Sequence, residues 1–243
     1  MKRIQLVLVF VVGMYLSSCT LYKSTSINSP LLNEKGDAQL KASTLSSLEL
    51  SAVYALTNQL AVLVDAGSAN TYLVRYEVEE NEFKNSWLLN YKFDAGLGLY
   101  NSAKNKSGFQ VFAGYSYGRA GTFENSILKG GTNSVLNTRL KGPYLQASYR
   151  FTLKENTFLN FLGKGKYYRF YDFENLGEFD LGGMQEGDDF YIQQFGVELK
   201  EIREKVTTNF QILYSDYYGA ANAFSLRALS VHFGVAYRFQ KKN

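Results

Sequence analysis

The sequence predicts an all-β protein: an antiparallel up-and-down transmembrane β-barrel of about ten strands, preceded by a lipoprotein signal peptide. Three observations carry this expectation. Nineteen Tyr and 18 Phe stand beside 21 Gly and only two Pro in 243 residues, a composition suited to pleated chain. From Ala38 onward apolar and polar residues alternate with period two, as half-buried strands require. Full charges recur inside the polar face, and short connections alternate with long ones, as in a barrel with tight turns at one mouth and loops at the other.

The elements follow in chain order. Lys2 and Arg3 precede an apolar run from Ile4 to Leu16, too short to span a bilayer but right for a signal peptide. It ends in Leu16-Ser17-Ser18-Cys19, which resembles the lipobox of bacterial lipoproteins. The resemblance implies cleavage after residue 18 and acylation of Cys19, the only cysteine. An ordinary secretory signal with a chance cysteine is the alternative. Residues 20–32 are mostly small and polar and read as a flexible tether. The chain therefore divides into a signal peptide (1–18), an anchor and tether (19–37) and a barrel (38–243). No acidic run follows Cys19, unlike the surface-export signal of Bacteroidota lipoproteins, so the anchor is expected on the periplasmic side.

Strands are expected at 38–45, 47–56, 59–66, 87–100, 108–118, 143–153, 157–170, 190–200, 206–217 and 229–240. In the last, Leu229, Val231, Phe233, Val235, Tyr237 and Phe239 alternate with Ser230, His232, Gly234, Ala236 and Arg238. The fourth sets Phe93, Leu97 and Leu99 against Lys92, Asp94, Gly96 and Gly98. Ten such residues, at about 3.3 Å each and tilted about 40°, rise roughly 25 Å, the height of a bilayer's apolar band. Pro143 is expected to open its strand. Aromatics at strand ends (Trp87, Tyr100, Tyr117, Tyr144, Tyr167, Tyr237) suggest an interfacial girdle. Long loops are expected at 67–86, 119–142, 172–189 and 219–227. Eight strands result if 38–56 is one strand and another pair lies outside the bilayer.

The ending Ala236-Tyr237-Arg238-Phe239 resembles the terminal strand of outer-membrane barrels, and four stretches, Asn33 to Leu40, Ala52 to Val62, Asp94 to Tyr100 and Gly114 to Gly118, resemble a family of small outer-membrane β-barrel lipoproteins of Bacteroidota. The resemblance runs from the signal peptide to Phe239, although Gln240 to Asn243 follow the terminal aromatic. Its motifs are structural and imply no catalytic residues.

A formal charge of +4 leaves no electrostatic footprint for nucleic acid. One His and one Cys exclude an internal disulfide and leave little for zinc, and no cofactor is expected. The polar face should fill the lumen with Lys41, Glu49, Lys92, Asp94, Arg150, Lys164, Lys166, Glu198 and Arg238, as a narrow barrel requires. The expected role is therefore structural or interactive, in the cell outer membrane, through extracellular loops or as a subunit of an envelope complex. Its expected partners are outer-membrane lipid, lipopolysaccharide and envelope proteins. One alternative is an outer-membrane enzyme, a protease or lipid acyl hydrolase or transferase, using His232 with Asp94, Asp65, Ser116 or Ser148. Another is a lipid-tethered soluble periplasmic β-sandwich or barrel that binds a ligand, with its charged face in water. The stretch Asp172 to Asp189 carries seven acids and no base; a solvated loop is favoured over a divalent-cation site. Lipid attachment predicts that radiolabelled palmitate enters the protein in growing cells and that Cys19→Ala abolishes the labelling.

Overall fold

The computed structural model describes residues 25–45, 48–79, 82–102, 107–125, 133–176, 185–219 and 228–239. Ten antiparallel strands close into one barrel: β1 (Ala38–Leu45), β2 (Leu48–Ala55), β3 (Leu60–Glu79), β4 (Glu82–Tyr100), β5 (Ser107–Asn125), β6 (Asn133–Lys154), β7 (Thr157–Leu176), β8 (Asp189–Arg203), β9 (Val206–Gly219) and β10 (Ala228–Phe239). Each strand pairs with its neighbours in the chain, and β1 seals against β10 from Ala38↔Phe239 to Leu45↔His232. Ten strands, not eight, place the start of β1 and the end of β10 at one mouth. The tight β2–β3, β6–β7 and β8–β9 connections lie at that same mouth. We call it the short-turn mouth and its opposite the long-hairpin mouth.

The barrel is inside out relative to a water-soluble protein. Leu97, Phe195 and Leu229 are 54%, 57% and 59% exposed, whereas Asp94, Glu198 and His232 are 0% exposed. The charged face thus lines the interior, which overturns the alternative of a soluble sandwich or barrel with that face in water. Burying charge inside while exposing Leu and Phe is favourable only when the outer solvent is hydrocarbon.

Aromatic rings mark both edges of the outer apolar surface. Tyr149, Phe151 and Phe161 cluster toward the short-turn mouth, as do Tyr237 and Phe239. Tyr91, Tyr117 and Tyr171 cluster toward the other mouth, as do Tyr167 and Tyr191. Phe109 and Tyr117 mark both levels on one strand, about 20 Å apart in height at ~3.3 Å per residue and a tilt of about 40°. Two residues expected in this girdle point inward instead: Tyr100 is 1% and Tyr144 3% exposed. Both share the parity of lumen residues, Tyr100 with Asp94 and Tyr144 with Gln146, and parity decides the face. The side chain of Trp87 lies outside the description.

The segments expected as loops at 67–86 and 119–142 are largely strand. β3 and β4 stay paired from Thr71↔Leu89 to Glu79↔Glu82, and β5 and β6 from Arg119↔Arg139 to Asn125↔Asn133. In Arg119 to Asn125 the apolar–polar alternation fades although the backbone ladder persists, whereas Tyr72, Val74, Tyr76 and Val78 alternate with Thr71, Arg75 and Glu77. Pro143 does not open its strand either. It sits within β6, facing Tyr115 of β5, while the ladder to β7 passes from Lys141↔Arg169 to Tyr144↔Lys166. The missing proline N–H falls in this gap.

Facing glycines shape the wall where β4 meets β5. Gly96 pairs with Gly114, and a Cβ on Gly114 would collide with the Ala95 carbonyl oxygen and lie 2.6 Å from Gly96 Cα. Gly114→Val should therefore destabilise the barrel by about 1–3 kcal/mol, read as earlier loss of the folded band in a denaturant series on unboiled gels.

Candidate functional site: a lumen filled by residues 25–32

The site is the lumen, and its central component was expected elsewhere. Residues 25–32, assigned by composition to the tether, run inside the barrel. Thr25, Ser26, Asn28 and Ser29 are 3–4% exposed, Leu31 is 2%, and Ile27 and Leu32 are 0%. Asn33 to Asp37 form the turn that carries the chain from lumen to wall. Asn33 N–H donates to the Asp37 carboxylate at 2.8 Å, and Gly36 takes the left-handed conformation, φ 91°, which favours glycine. Gly36 N–H donates to the Ala55 carbonyl, Ala55 N–H to the Asp37 carbonyl, and Lys35 N–H to Asn58 Oδ1. The turn is thereby pinned to the β2–β3 connection at the short-turn mouth.

From that turn, the segment read backwards rises toward the long-hairpin mouth. Leu31 N–H meets Gln39 Oε1 at 2.9 Å near the start of β1, whereas Ser26 N–H reaches both Glu49 carboxylate oxygens at 3.0 Å near the other end of the β1–β2 hairpin. Thr25 meets Lys92 and Gln194. Residues 25–32 thus lie in the lumen and rise away from the short-turn mouth. Cys19 itself, like residues 1–18, lies outside the described residues.

The wall reads the segment's backbone with amides. Gln211 accepts from Ile27 N–H at 3.2 Å and donates to the Ile27 carbonyl at 2.6 Å. Gln146 donates to the Asn28 carbonyl, Gln110 to that of Pro30, and Gln194 to that of Thr25. Lys200 donates to the Ser29 carbonyl and hydroxyl. Two apolar recesses take side chains: Ile27 packs with Leu162 and Leu213, and Leu32 with Val53, Leu63, Tyr100 and Phe112.

Two ionic hubs complete the interior. Asp94 accepts from Lys164 at 2.8 Å and Lys166 at 2.9 Å, with Lys92 at 3.6 Å and Ser116 also donating to it. Tyr168 closes this hub, 2.6 Å from Ser116 Oγ and 3.0 Å from Lys166 Nζ. Asp65 stands 4.0 Å from Lys164. Glu198 accepts from Asn160, Asn209 and Gln211 at 2.7–2.8 Å and from Ser29, with Lys200 at 3.3 Å. All nine charges assigned to the lumen by parity are buried there. Lys200, Asn160 and the glutamines on the same faces received no role in the sequence reading.

The structure disperses the residues grouped around His232. Its Nε2 is 3.1 Å from Ser230 Oγ. Asp94 and Ser116 belong to the lysine hub, and Ser148 donates to Gln110 Oε1 at 3.3 Å. In the acidic stretch, Asp172 pairs with Arg139 at 3.0 Å and Asp189 with Arg169 at 2.8 Å, and Asp188 accepts from Gln185 N–H. Glu178 and Asp180 lie outside the described residues. Among the described residues, no group of three or more His, Cys, Asp and Glu is arranged to hold a metal ion.

No family model matches the chain, and no curated protein matches it. Among solved structures it is similar to the NanC porin, with 10% identity over 83% of this chain and 98% of that one and a TM-score of 0.37. It is also similar to a major outer membrane protein from Thermus thermophilus, with 12% identity over 84% and 98% and a TM-score of 0.36.

Asp94 is the counter-charge for two directly bonded lysines and a third nearby, so neutralising it leaves buried cations uncompensated. Asp94→Asn should lower stability by about 3–5 kcal/mol, measured by denaturant unfolding in detergent micelles.

Proposed function

We propose that the chain is an outer-membrane β-barrel lipoprotein that works closed, as a structural or interaction barrel and not as an open porin. The observation supporting this most directly is a lipid-suited exterior around a lumen occupied by the chain's own residues 25–32. A ten-strand wall leaves little room beyond its side chains, and here residues 25–32 take that room.

The reading gives the long hairpins the outward, partner-facing role and the short-turn mouth the periplasmic one. Outer-membrane lipid and lipopolysaccharide are the proposed surroundings. Arg139, Lys141 and Arg169 face outward beside Tyr171 and Tyr167, at the level where aromatic belts meet headgroup phosphates. Cys19 is the proposed acylation site. His232 takes a packing role beside Ser230 in this reading.

Purified, unboiled protein should migrate faster than boiled protein on gels and give no conductance steps in planar bilayers. Steady large conductance from the intact protein would refute the closed reading, and absence of the mobility shift would refute the barrel in lipid.

A further inference from the structure

The segment in the lumen is held as a bound peptide would be. Five glutamines from five strands, Gln39 on β1, Gln110 on β5, Gln146 on β6, Gln194 on β8 and Gln211 on β9, each pair with its main chain. A glutamine amide presents a donor and an acceptor together, matching a peptide group. Gln211 takes both the N–H and the carbonyl of Ile27, as an adjacent strand would. Selectivity comes from three further positions: the recess of Leu162 and Leu213 for Ile27, the larger one around Phe112 for Leu32, and the Glu198–Asn160–Lys200 group for the Ser29 hydroxyl.

We propose that the lumen is a binding channel for an extended, uncharged polypeptide segment, that residues 25–32 occupy it in cis, and that the vacated channel passes small anions in preference to cations. This rests on the closed-barrel reading and goes beyond it in making the occupant exchangeable.

Two features support exchange and a third the anion preference. The segment, Thr-Ser-Ile-Asn-Ser-Pro-Leu-Leu, carries no charge, and the hubs keep their ion pairs without it: Asp94 retains Lys164 and Lys166, and Glu198 retains Lys200. Departure does take the Ser26 donors from the buried Glu49 carboxylate, which keeps Ser43 Oγ at 3.5 Å, and water can replace the lost hydrogen bonds. The fit is also incomplete, since Asn28 Oδ1, Gln146 Oε1 and Lys41 Nζ have no hydrogen-bond partner among the described residues, a condition that disfavours the occupied state. Finally, the described residues bury seven Lys and Arg against five Asp and Glu. That excess of positive charge gives the emptied channel its anion preference.

The test uses two forms of the full chain and a synthetic peptide of the Thr25–Leu32 sequence, beside an order-scrambled control. A variant lacking residues 25–32 that keeps the boiled–unboiled shift should show discrete, anion-preferring conductance steps. The native-order peptide should silence them at a concentration at least about tenfold below the scrambled one, a difference of roughly 1.4 kcal/mol. No steps from the folded variant, cation preference, or equal block by both peptides would overturn the proposal. Should the deletion fail to assemble, a second form carrying a protease site between Lys35 and Gly36 decides. It assembles with the segment in place and is then cut, and a fluorescent native-order peptide should enter the cut barrel. Failure of the labelled peptide to enter a cut barrel that retains its mobility shift would also overturn the proposal. The closed-barrel reading itself falls separately, through the intact protein's gel shift and conductance.

Discussion

A sheet that turns its apolar face to lipid must satisfy all its polar side chains on the other face, inside a cylinder one barrel wide. That constraint organises the interior. Ion pairs alone do not meet it, because the charges cluster at two levels: Asp94 with its lysines, and Glu198 with Lys200 and its amides. Around and between them stand inward glutamines, asparagines and serines on nearly every strand. A polar atom buried without a partner costs about 1–3 kcal/mol, and water is the usual remedy in wide barrels. Here a length of peptide backbone, carrying its own regularly spaced donors and acceptors, meets much of the need.

The wall was legible in the sequence because membrane strands obey a strict two-residue rule. Parity alone puts Lys92, Asp94, Lys164, Lys166 and Glu198 on one surface, and the even number of strands brings both ends of the sheet to one mouth. The same rule, applied to Tyr100 and Tyr144, assigns them inward; reading aromatics near strand ends as girdle residues overrode it. Strand length was less legible. Arg119 to Asn125 lose the alternation while keeping their pairing, whereas Tyr72, Val74, Tyr76 and Val78 keep it against Thr71, Arg75 and Glu77, within a segment expected as a loop.

The occupant of the lumen was hidden for a different reason. Ser26, Asn28, Ser29 and Pro30 have the composition of a linker, and composition records the absence of a self-made core, not the presence of a host. Ile27, Leu31 and Leu32 were the available hint, since a purely solvated tether gains nothing from three aliphatic side chains. The stretches that carried the family resemblance acquire a common purpose in the structure. Asn33 to Asp37 turn the chain out of the lumen, Asp94 and Ser116 form one hub, and Tyr100 walls the recess around Leu32. His232 drew attention as a rare residue, yet the geometry ties its ring to Ser230, while Asp94, Asp65 and Ser116 serve the lysine hub and Ser148 meets Gln110.

The turn at Asn33 to Asp37 also bears on how such a molecule can be made. It joins the lumen segment directly to β1, and β1 is one half of the seam that β10 completes. A segment laid along the inner wall while the sheet is an open, curling ribbon needs no threading. One left outside would have to be drawn end-first through a finished cylinder. The segment before β1 can thus serve as a mandrel around which the wall is wrapped, its polar groups meeting Lys200 on β8 and Gln211 on β9 as the seam closes. In that order of assembly, filling the lumen and closing the wall would be one event.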